Sequence, residues 1–432
     1  MQWFASSHLN EGVRRREVFG WAMYDFANSG YTTVVLTAVF NTYFVGVVAG
    51  NAGWATLAWT LALALSSALV MLTMPMLGAW VDLRAAKKRA LAFTTAGCVL
   101  STAALAAVGP GDLALAVAAV VLSNLFFSYG ESLIAAFLPE VARRESMGRV
   151  SGWGWSFGYC GGMLTLGLSL AWVLSAQGRG LGAAQFVPVT MLITAAIYAL
   201  AAVPTFALLR ERAQPQPGAA RGGLRDSLLR LLHTWHEARR FRDFVWLLAC
   251  AVAYQAGIAV VVALAAVYAE QALGFRQAQT MMLVFLVNIA AAAGAFAFGA
   301  WQDRIGHRRA LAFTLAGWIL MTVLAWAATG PALFWVAAVV AGLCMGSSQS
   351  AGRALAGLFA PPTRRAEFFG LWTFAIRLSA IVGPVTYGAV TWLTAGDHRL
   401  AIVSTGLFFV LGLVLLTRVD VPRGMAAAQQ SP

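Results

Sequence analysis

The chain has 432 residues, 60% of them hydrophobic and 11% charged, against roughly 45 to 50% and 25% for soluble domains. That excludes a soluble globular protein, and twelve membrane crossings of about 20 residues each would use most of the apolar content. The net charge of +13 would suit a nucleic acid only if the basic residues gathered on one face or tail, and here they are scattered between apolar runs.

Arg14, Arg15 and Arg16 precede an apolar segment with the look of a secretory signal, but the segment runs to about Ala49 and contains Asp25 and Asn28. Signal cores are shorter, so this is read as a retained first helix, α1, over 18–49. The apolar stretches and their breaks predict α2 over 55–80, α3 over 90–108, α4 over 113–138, α5 over 151–175 and α6 over 186–209. After a gap they predict α7 over 244–269, α8 over 280–301, α9 over 310–329, α10 over 332–358, α11 over 368–394 and α12 over 400–416. Helices are the form in which one segment satisfies its own backbone polar groups in hydrocarbon.

The gap, 210–243, holds eight arginines and the breakers Pro215 and Pro217. It reads as an aqueous linker whose second part, with Leu224, Leu228, Leu231, Leu232 and Trp235 at helical spacing, is an amphipathic helix on the membrane surface. The expected organisation is an N-terminal six-helix half (1–209), this linker (210–243), and a C-terminal six-helix half with a short tail (244–432).

Lysine and arginine concentrate on one side: the N-terminus, the α2/α3, α4/α5, α6/α7, α8/α9 and α10/α11 loops and the C-terminus hold 25 of the 30. The opposite loops hold Arg179, Arg276 and Arg399. By the positive-inside rule both termini are expected in the cytoplasm.

Charges inside the spans are few: Asp25 in α1, Glu131 in α4, Arg353 in α10 and Arg377 in α11. Each costs about 2.5 to 3.5 kcal/mol at a helix centre and so is expected to face a cavity or a partner. Asp25, Asn28, Ser29 and Thr32 form one helical stripe, Asn124, Ser128 and Glu131 a second, and Gln349 with Arg353 a third. Arg353 lies close enough to Pro361 to snorkel toward the cytoplasm; Arg377, about 14 Å from its helix end at 1.5 Å per residue, is too deep to do so easily. The four cysteines (Cys98, Cys160, Cys250, Cys344) lie singly in apolar runs and read as buried small side chains, with no metal-site spacing. The five histidines lie outside those runs.

A duplication carries the strongest signal. GAWVDLRAAKKRALAFTTAG from Gly78 recurs as GAWQDRIGHRRALAFTLAG from Gly299, offset by 221 residues, as expected for an internally repeated transporter. At these residues the chain resembles the major facilitator superfamily, whose signature loop has a glycine, an aspartate-arginine step, then a glycine and a basic cluster. Gly299, Asp303, Arg304, Gly306, Arg308 and Arg309 fit that pattern. In the first copy Leu83 separates Asp82 from Arg84, and Ala85 or Ala86 stands where glycine is usual.

A carboxylate at the interface can accept hydrogen bonds from a helix N-terminus and pair with arginine. The resemblance therefore implies Asp82 and Asp303 as gating anchors, with Arg84, Arg304 and Arg308 as partners. It also implies that α1, α4, α7 and α10 line a central path flanked by α2, α5, α8 and α11, so that Asp25, Asn28, Glu131, Gln349, Arg353 and Arg377 are candidates for the substrate or proton path. The glycines Gly152, Gly154, Gly158, Gly161 and Gly162 of α5, and Gly383 with Pro384 in α11, suit close, sliding helix contacts.

Three further stretches narrow the resemblance: WAMYDFANSGYTTVVLTAVFNTYF from Trp21, LPEVARRESMGRVSGWGWSFGYCGG from Leu138 and EFFGLWTFAIRLSAIVGP from Glu367. With GSSQSAGR in α10 they resemble the autophagy-related vacuole-effluxer-like permeases. The chain departs from that pattern at Tyr254, Gln255, Ala256 and Gly257, where an asparagine-aspartate-glycine step is frequent, and at Ser347 and Gly352 in α10.

The sequence expectation is an all-α integral membrane protein of twelve transmembrane helices in the major facilitator fold. It is a secondary active transporter of a small solute by alternating access, coupled to protons through Asp25 or Glu131. The resemblance implies amino-acid export. A receptor or scaffold that kept the fold is the alternative. No GxxxxGK[ST] loop is present, and no enzyme activity, cofactor, metal or nucleic acid is expected. The expected partners are substrate, proton and lipid bilayer, with the chain a monomer in a bacterial inner (plasma) membrane.

Overall fold

The structure is a computed structural model, and it describes residues 4–50, 52–215, 240–273, 277–394 and 398–430; the side chains at 56, 263–281, 392 and 398 lie outside that description. The expected amphipathic helix of the linker falls at 216–239, outside the described residues. The described residues contain 12 helices long and apolar enough to cross a membrane. The protein is a multi-pass membrane protein.

The spans are α1 (Arg15–Val48), α2 (Ala55–Arg84), α3 (Lys87–Ala104), α4 (Leu113–Ala135), α5 (Met147–Gly178) and α6 (Ala183–Leu208). Then come α7 (Arg242–Leu273), α8 (Gln277–Ile305), α9 (His307–Ala327), α10 (Pro331–Phe359), α11 (Arg365–Leu393) and α12 (His398–Leu416). A short thirteenth, α13 (Val421–Gln429), closes the chain. α2 and α8 run past their apolar stretches into last turns that carry Arg84 and Arg304, suited to the interface. The α2/α3 and α8/α9 connections shrink to single left-handed hinges, at Ala85 (φ 50°) and Gly306 (φ 91°).

Leu72, Leu100 and Leu200 are each about 70% exposed on the outer surface, where lipid rather than a protein core receives them. Cys98, Cys250 and Cys344 are buried as expected, but Cys160 is exposed: it lies on the outward side of α5, whose glycine face takes the packing. Within α1 the helix widens to π-helical turns at Thr32–Ala38 and Phe44–Val48.

Two helix pairs carry most of the packing between the halves. α2 packs along α11, and α8 packs along α5; under the sequence duplication these two contacts are equivalents of each other. A Cβ at Gly78 would meet the carbonyl oxygen of Ala366 at 2.3 Å, and one at Gly299 would meet that of Gly148 at 2.8 Å. The glycine that opens each copy of the motif is therefore what allows the opposing helix end to approach.

Both chain ends brace the bundle face that holds these motifs, called here the terminal face. Asn10 donates to the carbonyls of Pro139 and Glu140, and Arg143 donates to that of Leu9 at 2.7 Å. On the other half Arg423 of α13 holds Asp243 through two hydrogen bonds of 2.7 Å.

Candidate transport site and inter-half contacts

At the N-terminus of a helix the first N–H groups lack intrahelical acceptors and carry partial positive charge. In α5 the N-cap residue Ser146 makes no cap hydrogen bond; its hydroxyl instead meets His8 Nδ1 at 2.8 Å. The second and third N–H groups of α5, at Gly148 and Arg149, donate to the Asp303 carboxylate at 2.9 and 3.0 Å. Asp82 caps α11 in the same way, accepting from Glu367 N at 2.9 Å and from Ala366 N. Each half thus caps a helix of the other with the aspartate of its motif.

The arginines expected to pair with these aspartates point elsewhere. The Arg84 guanidinium lies over the Trp80 ring, 4.8 Å from its centroid. Arg308 donates to the carbonyl of Thr417 at 3.2 Å, and Arg304 is exposed at the end of α8. The main-chain donors satisfy the carboxylates directly, which leaves the basic residues for the interface.

Deeper in the seam, Arg353 reaches from α10 to Asp25 of α1, Nη1 to Oδ2 2.7 Å, with both side chains more than 90% buried. It does not snorkel. Its Nη2 donates to the carbonyl of Ser151 at 2.8 Å and its Nε to the Ser151 hydroxyl at 3.2 Å, while Trp21 and Trp155 flank the guanidinium at 4.9 and 5.2 Å. The cation is fully committed, as a buried charge must be. Gly154 makes room for it, since a Cβ there would meet Asp25 Oδ2 at 2.4 Å and Arg353 Nη2 at 2.5 Å.

A second inter-half pair joins Arg377 of α11 to Glu131 of α4 at 3.5 Å, with the Glu131 side chain 40% exposed. Arg377 Nε is buried without an acceptor among the described residues, so this pair is looser than the first. Asn28 is buried beside Asp25. Asn124 donates to Ser66 at 3.0 Å, and Gln349 exchanges amide hydrogen bonds with Gln255 of α7 at 2.8 and 3.3 Å. Gln255 thus forms a neutral cross-helix pair in the stretch of α7 that departs from the family pattern. The structure pairs Asp25 with Arg353 and Glu131 with Arg377, and Glu131 also lies within electrostatic reach of Asp25 and Arg353.

A cavity of about 420 Å³ lies between α1 and α5 on one side and α7, α8 and α10 on the other, reached by Ser29, Thr32, Trp155, Tyr159, Asn288 and Gln349 among others. It begins one helical turn beyond Asp25.

Glu140, buried at the terminal face, is a group the sequence reading passes over. It pairs with Lys87 and, across the seam, with Arg365 at 3.5 Å. Nearby Glu211 accepts from the N–H groups of Lys87 and Lys88 at 2.6 and 3.0 Å, and burial pushes its carboxyl above the usual range. The signal for Glu140 was its position directly after Pro139, in a segment too short to span and too apolar to be free loop.

The family model described as "Vacuole effluxer Atg22 like" matches residues 55–149 and 144–429. The chain is 26% identical over 423 residues to the uncharacterized MFS-type transporter YxiO of Bacillus subtilis, covering 95% of this chain and 96% of that protein. It is 26% identical to the autophagy-related protein 22 of Pyricularia oryzae over 65% of this chain and 44% of the fungal one, so it spans less than half of that relative. Among solved structures, the human organic anion transporter MFSD10 superposes with a TM-score of 0.72 at 16% identity, over 93% of this chain and 99% of the other. The proton:xylose symporter XylE does so at 0.72 and 14% identity, over 93% and 95%. At such identities the structures establish the fold alone. Family match, helix count and fold agree: the chain is a transporter-type membrane protein of the major facilitator superfamily and belongs to its vacuole effluxer Atg22-like family.

Proposed function

We propose that this protein is a secondary active transporter that moves a small solute by alternating access, and that the described form is the one closed at the terminal face. The observation that carries the reading is the buried Asp25–Arg353 pair, which joins the halves at 2.7 Å just beneath the cavity. Asp82 and Asp303 close the same face from two symmetric sides. Rocking the halves apart has to break all three contacts, and in an apolar seam a separated Asp25 needs a proton or another cation. Asp25 is thus the proposed coupling group, and Glu131, its side chain 40% exposed, the group that exchanges protons with the cavity side.

The charge distribution of the loops supports a cytoplasmic terminal face, and the near full-length bacterial relative suits a plasma membrane. Because one chain encloses the cavity, a monomer suffices. Export of amino acids is the cargo that the family resemblance suggests.

The test is flux into liposomes containing the purified protein and a trapped pH indicator, with an amino-acid mixture and neutral aromatic solutes supplied in turn. Solute movement accompanied by proton movement, with the proton component lost in Asp25→Asn, is the expected result. Solute movement without protons removes the coupling role, and no movement of any solute favours a receptor that kept the fold.

A further inference from the structure

A second pocket, of about 150 Å³, opens in the seam of the terminal face, apart from the main cavity. Asn10, Pro139 and Arg144 line it from the N-terminal half, and Leu358, Pro362 and Arg365 from the C-terminal half. A single water needs roughly 10 to 15 Å³, so the space admits a tetrahedral oxyanion. Its ten lining residues include two arginines and no carboxylate. Arg144, in the short turn Arg144–Ser146 before α5, is exposed, and no described residue gives its side chain a hydrogen bond or an ion pair. Arg365 opens α11 and meets Glu140 Oε1 at 3.5 Å, beyond the reach of a charge-assisted hydrogen bond, about 2.7 to 2.9 Å. Lys87 takes that same oxygen. Asp82 is also within electrostatic reach of Arg365, but its carboxylate accepts from the N–H groups of Ala366 and Glu367. Arg144 and Arg365 are within electrostatic reach of each other, and two cations at one small space repel until an anion stands between them.

We propose that this pocket binds a phosphate group, free or on a lipid headgroup, held between Arg144 of one half and Arg365 of the other. The guanidinium fork matches phosphate oxygens two at a time. Because the two arginines come from opposite halves, the bound anion acts as a clamp. It favours the form closed at the terminal face by as much as it binds that form better, and it leaves when the halves part. The clamp rests on the rocking of the halves; the binding does not, and it needs no knowledge of the transported solute.

Pro362→Cys, at an exposed position of the pocket lining, is placed in a Cys160→Ser background, where the remaining cysteines are buried. The full chain is held in phosphatidylcholine nanodiscs, and its reaction with a fluorescent maleimide is timed at constant ionic strength as glycerol phosphate replaces potassium chloride. The reaction should slow in a saturable way. Arg144→Gln, a change at an exposed side chain, should raise the half-protecting concentration at least about tenfold, the scale of one charge-assisted hydrogen bond. Arg144→Lys, which keeps the charge without the fork, should raise it about threefold, and Arg365→Gln should match Arg144→Gln. Nanodiscs containing phosphatidic acid, with no soluble phosphate, form the second arm: slowing there and not with glycerol phosphate assigns a headgroup, and the reverse assigns a soluble phosphate. Protection in neither arm, or protection that persists in Arg144→Gln and Arg365→Gln, overturns the proposal. The clamp is read from spin labels at Arg89 and Arg309 in Asp25→Asn, whose separation the protecting phosphate should shorten. Protection with an unchanged separation overturns the clamp, whereas a protein that binds phosphate and moves no solute would keep the site and lose the transporter reading alone.

Discussion

Asp303 accepts hydrogen bonds from the second and third N–H groups of α5, and Gly148, the nearer donor, sits 2.9 Å from its carboxylate. The same positions of α11 donate to Asp82, so two copies of one motif place two anions at two helix N-termini across the seam. The N-termini of α5 and α11 are each satisfied by the other half, and separation of the halves exposes two sets of donors and two carboxylates together.

Asp303→Asn retains the shape and loses the charge. It should weaken the closed form by about 1 to 3 kcal/mol, the range for a hydrogen bond to a charged acceptor. Hydrogen exchange at the amides of Gly148 and Arg149 should speed up while the protein stays folded, and the Asp82→Asn, Asp303→Asn double variant should show the change at both helix ends. Unchanged protection at Gly148 in Asp303→Asn would remove the cap from the account.

Arg353→Ala leaves Asp25 buried without its cation and should cost about 3 to 5 kcal/mol. Combining it with Asp25→Asn should recover a large part of that loss. Thermal unfolding of the four proteins in one detergent gives the coupling energy of the cycle, and additive losses would mean that the 2.7 Å contact contributes little.

The Arg377–Glu131 pair is longer and its carboxylate side is 40% exposed, so its coupling should be the smaller of the two, about 1 kcal/mol or less. Arg377→Lys should fold and transport weakly, because the ammonium lacks the planar fork. Arg377→Ala should abolish transport, and normal flux in that variant would move the solute path away from α11.

Ala85 is the described non-glycine residue with positive φ, at the hinge where the second copy has Gly306. Ala85→Gly relieves that conformation and should stabilise the protein by about 0.5 to 1 kcal/mol. A lower melting temperature in the variant would show that the hinge carries no strain.

His8 is held between Ser146 and Arg149. Burial, and then the charges of Arg149 and Arg143, hold its imidazole below the usual range. The unfolded segment therefore binds more protons, so this contribution is complete above about pH 6.5. It falls away as pH drops through that value toward the lowered one. Proteolytic cleavage near the N-terminus should accelerate on acidification, and His8→Gln should flatten that dependence.

The helices and the duplication are legible in the chain because lipid demands long apolar segments and because the motif residues are kept in both copies. Asp82 and Asp303 stand out for the same reason. Their partners do not, since a main-chain N–H has no side-chain signature and depends on Gly78 and Gly299 letting α11 and α5 approach. Arg353 reads as a snorkelling residue because its distance to Pro361 is visible in sequence, while Asp25, 328 positions away, becomes its neighbour only when the halves close. Glu140 carries no periodicity, and its place between Lys87 and Arg365 needs three separate loops to meet.

Reciprocal motion at the two faces of the bundle tests the central claim most directly. Spin labels at Arg89 and Arg309, equivalent positions of the two repeats on the terminal face, report one gap, and labels at Gln177 and Thr329 report the other. In Asp25→Asn the first distance should lengthen while the second shortens, relative to the unmodified protein in the same lipid. If both distances stay fixed, or both lengthen together, the halves do not rock about the cavity and alternating access through the Asp25–Arg353 seam is contradicted.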